Sequence, residues 1–168
     1  MVQLNSKNLR SFESLVEVVK ALRGPDGCPW DKEQTHQSLT RYAIEEAYEL
    51  AEAIDRNDKN AIKEELGDLL FQSLLHAEIA GQNNDFNIFD VIESLNNKMV
   101  NRHPHVFANT TVSSSAEVVN NWHKLKEKEK ETTKQATNNF NLPVDLPALI
   151  KSQKIGSKTK SENFSELK

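Results

Sequence analysis

Two short acidic motifs hold the residues of this chain whose types and spacing suit chemistry. Glu46 and Glu49 lie three positions apart, Glu65 and Asp68 repeat that spacing, and Glu45 precedes the first pair. Residues three apart share one face of a helix, so each pair would project together if its segment is helical. Carboxylates brought together repel one another unless a cation or a proton sits between them. Hard oxygen donors favour Mg²⁺ or Mn²⁺ over zinc.

The segments that carry these motifs have helical periodicity. Their apolar residues predict helices at about residues 38–56 and 59–81. Asn57 and Asp58 separate the two helices and can cap the second one, and Gly81 is well placed to stop it. A connection this short predicts an antiparallel hairpin, in which the four carboxylates of the two pairs converge.

Further helices must complete the body around this hairpin. Apolar spacing and cap residues predict them at about residues 9–22, 87–101 and from 115 onwards. In the middle one of these we expect four side chains to point inward: Phe89, Ile92, Leu95 and Met99. With only 5 Gly, 5 Pro and no even series of short strands, the sequence predicts an all-α fold, an antiparallel helical bundle.

Composition and charge exclude several classes of protein. The chain has 168 residues and one cysteine, Cys28, which cannot form an internal disulfide or a zinc site alone. Residues 1–123 carry a net charge of −8 and residues 124–168 one of +4, and an acidic body does not suit nucleic acid. No stretch approaches the ~18 apolar residues of a membrane helix, and the first residues lack a secretory signal. We therefore expect a cytoplasmic protein with no nucleic-acid and no membrane partner.

The composition changes after residue 130. We expect residues 1–130 to form the helical domain and residues 131–168 to form a linker followed by a short C-terminal helix or a flexible tail. The short helix would stop at Gly156 and hold four apolar residues: Leu146, Leu149, Ile150 and Ile155. Four apolar residues cannot fold alone, so this segment either docks on another surface or stays mobile.

Three sequence blocks together resemble a known family. They are CPWDKEQTH at residues 28–36, the two acidic motifs, and RHPHVF at residues 102–107. In this order and spacing they are similar to the N-terminal domain of the MazG nucleoside triphosphate pyrophosphohydrolases, over about residues 8–130. The segment from Leu146 to Ile155 resembles the beginning of a second such domain, which we expect to be missing or truncated in this chain.

The resemblance implies an all-α pyrophosphohydrolase fold completed by oligomerisation, as a homodimer or a higher homo-oligomer. It implies Mg²⁺-dependent hydrolysis of nucleoside triphosphates to monophosphate and pyrophosphate, in house-cleaning or nucleotide-pool control. The family's metal ligands fall on Glu46, Glu49, Glu65 and Asp68, and Glu45 lies beside them as a catalytic group. Its substrate-binding residues fall on two phosphate-contacting cations and one base-stacking aromatic: Lys98, Arg102 and Trp122.

Alternatives remain open for the function and for single residues. The second function is a catalytically weak helical module that binds nucleotide or a partner protein and acts as a regulator. Trp122 is explained equally well by the apolar stripe of its own helix. Cys28 has only His36 as a nearby basic residue, so we interpret it as structural. His76 lies within an apolar helix, which predicts a partly buried side chain with a hydrogen-bond partner.

Overall fold

The computed structural model describes residues 9–133, 148, 150–152 and 155–156. Its described part contains helices and no strand, so the prediction of an all-α fold is confirmed. The helices are α1 (Phe12–Arg23), α2 (Pro29–Glu33), α3 (His36–Asp55), α4 (Lys59–Gln82), α5 (Ile88–Arg102), α6 (Pro104–Phe107) and α7 (Ser115–Thr133). None of these helices is long and apolar enough to cross a bilayer.

The C-terminal prediction lies largely outside the described residues. This holds for the linker beyond residue 133 and for Leu146 and Leu149 of the predicted short helix. The described positions in that region, 148, 150–152 and 155–156, are helical. The predicted domain boundary at residue 130 stays a prediction.

The described chain divides into two compact units, Met1–Asn101 and Arg102–Lys168. In the first unit α4 packs against both α3 and α1, and α2 packs against α1. Among the helices that the structure describes, α3 and α4 have the most extensive contact with each other. The predicted antiparallel hairpin is therefore the main building element of this unit.

The hydrophobic core of the first unit lies at one end of this hairpin. Leu39, near the start of α3, and Leu75, in the second half of α4, are completely buried. They belong to a cluster of buried side chains: Val16, Val19, Leu39, Leu74, Leu75, Ala77, Ile79 and Ile88. Both acidic pairs lie closer to the connection between the helices than this cluster does. The core thus fixes one end of the hairpin and leaves the other end for charged side chains.

Polar side chains define the beginning of each hairpin helix. Thr35 Oγ1 accepts from Ser38 N at 3.1 Å, and Ser38 Oγ accepts from Thr35 N at 2.9 Å, which is a reciprocal capping box. Asp58 Oδ1 accepts from Asn60 N at 3.0 Å and so caps α4, as the sequence predicts. Asn57 has a φ of 53° and makes the tight reversal between the helices.

The helix α4 ends one residue beyond its predicted end. Gly81 lies inside the helix, which continues to Gln82, and Asn84 takes the left-handed conformation with a φ of 61°. Asparagine tolerates this region better than most residues, so it can end a helix as glycine does. The backbone N–H of Asp85 then donates to the Ala80 carbonyl at 3.0 Å and closes the helix end.

Two predicted inward positions of α5 are also wrong. Phe89 is 55% exposed and Leu95 is 50% exposed, whereas Ile88 is buried and Ile92 and Met99 are partly buried. The predicted cap of this helix is confirmed, because Asn87 Oδ1 accepts from Phe89 N and Asp90 Oδ2 accepts from Asn87 N, each at 2.8 Å. In the helix that starts from this cap, Ile88 faces the core and the next residue, Phe89, faces outward.

Candidate functional site

The hairpin brings the two acidic motifs together. Glu46 and Glu49 lie on the middle of α3, and Glu65 and Asp68 lie on the first half of α4. Carboxylate oxygens of Glu46, Glu49 and Glu65 all lie within 4.8 Å of one another. Asp68 is near enough to raise the pKa of Glu46, after the larger effect of burial. We call these four residues the acidic cluster.

Burial and repulsion between carboxylates raise the pKa values of Glu46 and Glu65. The pKa of Glu46 is raised by its partial burial first and then by three carboxylates: Asp68, Glu49 and Glu65. The pKa of Glu65 is raised by burial and then by Glu49 and Asp68, with Glu64 adding a smaller effect. A hydrogen bond from the Gln72 side chain to Glu46 opposes these effects. The site therefore favours either a bound proton or a bound cation.

The donor set of the acidic cluster fits a hard divalent cation. All its potential ligands are carboxylate oxygens, and the described part of the chain brings no imidazole or thiolate into this group. Oxygen-only coordination suits Mg²⁺ and Mn²⁺, and Mg²⁺ keeps several waters beside one or two carboxylates. The chemistry of these donors thus agrees with the cofactor predicted from the sequence.

The raised pKa values predict how a cation stabilises the fold. When a carboxyl has a higher pKa in the folded than in the unfolded state, the free energy of unfolding falls as pH rises above the unfolded value of about 4.5. This loss of fold stability persists at neutral pH. Millimolar Mg²⁺ should therefore raise the melting temperature near pH 7 and have little effect near pH 4.5, where these carboxyls hold protons. Differential scanning fluorimetry measures this. NaCl at matched ionic strength is the control, and an equal rise in both salts would contradict the prediction.

Glu45 lies beside the acidic cluster rather than in it. It is exposed, and its carboxylate lies near the Arg41 guanidinium, one turn earlier on α3. The Arg41 guanidinium also donates a hydrogen bond to the Tyr42 hydroxyl and lies 4.5 Å from the Tyr42 ring centroid. The catalytic role predicted for Glu45 stays a prediction.

The predicted substrate-binding residues occur in two places. Lys98, in the first unit, is exposed on α5 and lines a shallow pocket with Phe86 and Leu95. Arg102 and Trp122 lie in the second unit, where the Arg102 guanidinium is 5.3 Å from the Trp122 ring centroid. Their roles in substrate binding stay predictions.

Arg102 has a partner that the sequence does not reveal. Its guanidinium forms an ion pair with Glu129 at 2.5 Å, and its side chain is only 11% exposed. The acidic residue lies 27 positions away, inside the alternating Lys and Glu run of α7. The Trp122 ring also meets the His103 ring edge-on, with 4.9 Å between centroids. Within the second unit, Trp122 therefore packs against two residues of the RHPHVF block.

Sequence reasoning missed two polar features of the first unit. The rings of His36 and His76 are stacked, with 2.7 Å between their Nδ1 atoms, and burial followed by the charge of His36 lowers the pKa of His76. The prediction that His76 is partly buried and hydrogen-bonded is confirmed, but its partner was not foreseen. Gln72 is buried in α4, and its only signal in the sequence is a polar residue within an apolar stretch.

Comparison with known proteins identifies a matching family model. Residues 34–107 match the MazG nucleotide pyrophosphohydrolase domain. This range contains both acidic motifs, Lys98 and the RHPHVF block. A solved mazG-related protein from Thermotoga maritima is similar in structure, with a TM-score of 0.57 and 29% identity, over 68% of this chain and 98% of that one.

Several curated proteins are similar to almost the whole chain. A nucleoside triphosphate pyrophosphohydrolase from Escherichia coli is 37% identical over 93% of this chain and 60% of its own length. The nucleoside triphosphate pyrophosphohydrolase/pyrophosphatase MazG of Thermotoga maritima is 42% identical over 91% of this chain and 58% of its own length. The protein YabN of Bacillus subtilis is 49% identical over 86% of this chain and 29% of its own length. The chain thus spans 60% or less of the length of these relatives.

Proposed function

Because this chain carries a MazG nucleotide pyrophosphohydrolase domain, we propose that it hydrolyses nucleoside triphosphates to nucleoside monophosphate and pyrophosphate. We propose that Mg²⁺, or Mn²⁺ in its place, is the cofactor and that the reaction controls or cleans the cytoplasmic nucleotide pool. One observation carries this proposal. Three carboxylates from two separate motifs converge within 4.8 Å, where the raised pKa values of Glu46 and Glu65 favour a cation.

The acidic cluster would hold the cation. Its ligands would be Glu46, Glu49, Glu65 and Asp68, and the bound ion would neutralise triphosphate charge and lower the pKa of the attacking water. Glu45 lies one residue before Glu46 and is exposed, so it can accept the proton that this water loses.

Cationic and aromatic side chains would bind the substrate. Lys98 is exposed and can contact a phosphate oxygen directly. Arg102 is paired with Glu129, so phosphate would replace this carboxylate on the guanidinium. Both cations would stabilise negative charge on the pyrophosphate leaving group. Trp122 would stack on the base, in place of or beside its contact with His103.

Product analysis tests this function. Purified protein is incubated with each of the common nucleoside triphosphates and the deoxynucleoside triphosphates, with Mg²⁺ or with EDTA, and the products are separated by anion-exchange chromatography. We expect equal amounts of monophosphate and pyrophosphate, formed only with the divalent cation. Diphosphate and orthophosphate would contradict the proposal. Nucleotide binding without turnover would instead support the regulatory module.

We also propose that the chain works as a homodimer or a higher homo-oligomer. Large apolar side chains are exposed on three helices of the first unit: Ile44, Tyr48, Leu66, Leu70, Phe89 and Leu95. Exposed apolar groups in this number are typical of surfaces that another chain covers. Light scattering coupled to gel filtration should give a mass of at least two chains, and Leu70→Glu should lower it. A monomeric wild-type protein would contradict this.

A further inference from the structure

Gln72 is a buried polar residue with an incomplete set of hydrogen bonds. Its side chain is 7% exposed, and its Oε1 is the buried side-chain atom without a hydrogen-bond partner among the residues that the structure describes. A buried amide oxygen without a partner costs free energy, so native structures rarely keep one without a purpose. A bound water or the hydration shell of an ion can supply the hydrogen bond that such an atom lacks.

The position of Gln72 connects it to the acidic cluster. It lies four residues after Asp68 on α4, on the same face of the helix. Its side chain lies close enough to the Glu46 carboxylate to lower the pKa of that group as a hydrogen-bond donor does. The Gln72 amide is therefore next to a residue of the acidic cluster, and its acceptor atom, Oε1, has no partner among the described residues.

We propose that Gln72 is a positioning residue of the cation site. Its side-chain N–H fixes the orientation of the Glu46 carboxylate, and its Oε1 accepts a hydrogen bond from water in the hydration shell of the cation. This inference rests on the proposed function, because it requires a cation at the acidic cluster. Mg²⁺ retains most of its waters in proteins, and these waters need acceptors beyond the ligands themselves.

An amide suits this position better than the other side chains of similar size. Gln offers a donor and an acceptor without charge, so it can hold a carboxylate and a water at once. Glu would add a negative charge to a site whose carboxylates already repel one another. Met or Leu would fill the space but would leave Glu46 without this hydrogen bond.

Gln72→Met separates a positioning role from a structural one. Mn²⁺ binding to the full chain without nucleotide is measured from the electron paramagnetic resonance signal of free Mn²⁺. We expect the variant to bind Mn²⁺ about 10–100-fold more weakly, as is typical when a partner of a metal ligand is lost. Because the change removes an unpaired buried atom, the metal-free melting temperature should stay equal or rise. The activity should need more Mg²⁺ for half its maximal rate.

Control variants define the outcomes. Gln37→Met makes the same replacement at an exposed position of α3 and should leave Mn²⁺ affinity unchanged. Gln72→Leu is a second variant with the same expected loss, in case methionine prevents folding. A lower metal-free melting temperature with normal Mn²⁺ affinity would overturn the inference while leaving the proposed function intact. A wild-type protein that binds no Mn²⁺ would overturn both.

Discussion

Glu49→Gln is expected to lower Mg²⁺-dependent pyrophosphate release by at least about a hundredfold. Losing a residue that only hydrogen-bonds a metal ligand costs up to about a hundredfold, and Glu49 is a proposed ligand itself. Its carboxylate oxygen lies within 4.8 Å of oxygens from both Glu46 and Glu65, so it connects the two motifs. An amide at this position is neutral and a weaker ligand for a hard cation. Steady-state rates over a range of Mg²⁺ concentrations measure the loss.

The same variant should make the metal-free fold more stable near pH 7. Glu49 is one of the carboxylates that raise the pKa of Glu46 and Glu65 beyond the effect of burial, and its removal relieves that repulsion. A lower activity together with a higher melting temperature cannot result from misfolding. The opposite signs of the two changes thus assign the loss to the site.

Glu52→Gln is the matched control for this prediction. Glu52 lies three residues after Glu49 on the same helix, is exposed, and pairs with Arg56 at 3.5 Å. It is not among the carboxylates that converge or that raise the pKa values of Glu46 and Glu65. Its replacement should leave activity near the wild-type rate, because exposed ion pairs contribute little. Full activity of Glu49→Gln, or an equal loss in Glu52→Gln, would contradict the assigned site.

Local signals in the sequence predicted most of the helices. Apolar spacing identified α1, α3, α4, α5 and α7, and the caps at Asp58 and Asn87 fixed two of their beginnings. The five-residue helix α2 was missed because it is too short to show a period, although Pro29 at its first position is a helix-start signal. The spacing of the acidic pairs predicted their convergence because a short connection fixes the pairing of two helices.

Contacts between distant residues were not predictable in the same way. The ion pair of Arg102 with Glu129 and the stacking of His36 on His76 join residues 27 and 40 positions apart. Helical periodicity predicts which face of a helix is apolar, but a face can be covered by the same chain or by another one. This is why Leu95, placed inward from the sequence, is exposed in a single chain.

Leu75→Ala is expected to lower the free energy of unfolding by about 2–5 kcal/mol, the typical cost of a large cavity in a core. Leu75 has no exposed surface and lies in the cluster where α1 and α3 meet α4. Urea denaturation followed by circular dichroism measures the change. Leu9→Ala removes the same atoms from a side chain that is 74% exposed and should change stability by less than about 0.5 kcal/mol. Equal effects of the two variants would contradict the placement of the core.

The same variant tests whether the core and the site are separable. Leu75 lies seven residues after Asp68, the nearest acidic-cluster residue on α4 and about two turns away along the helix, so the cavity need not displace the acidic cluster. At a temperature where Leu75→Ala is still folded, its Mg²⁺-dependent rate should stay within a few-fold of wild type. A rate as low as that of Glu49→Gln, in a folded protein, would show that core packing sets the ligand geometry directly. The long helix would then transmit strain rather than isolate the two ends of the hairpin.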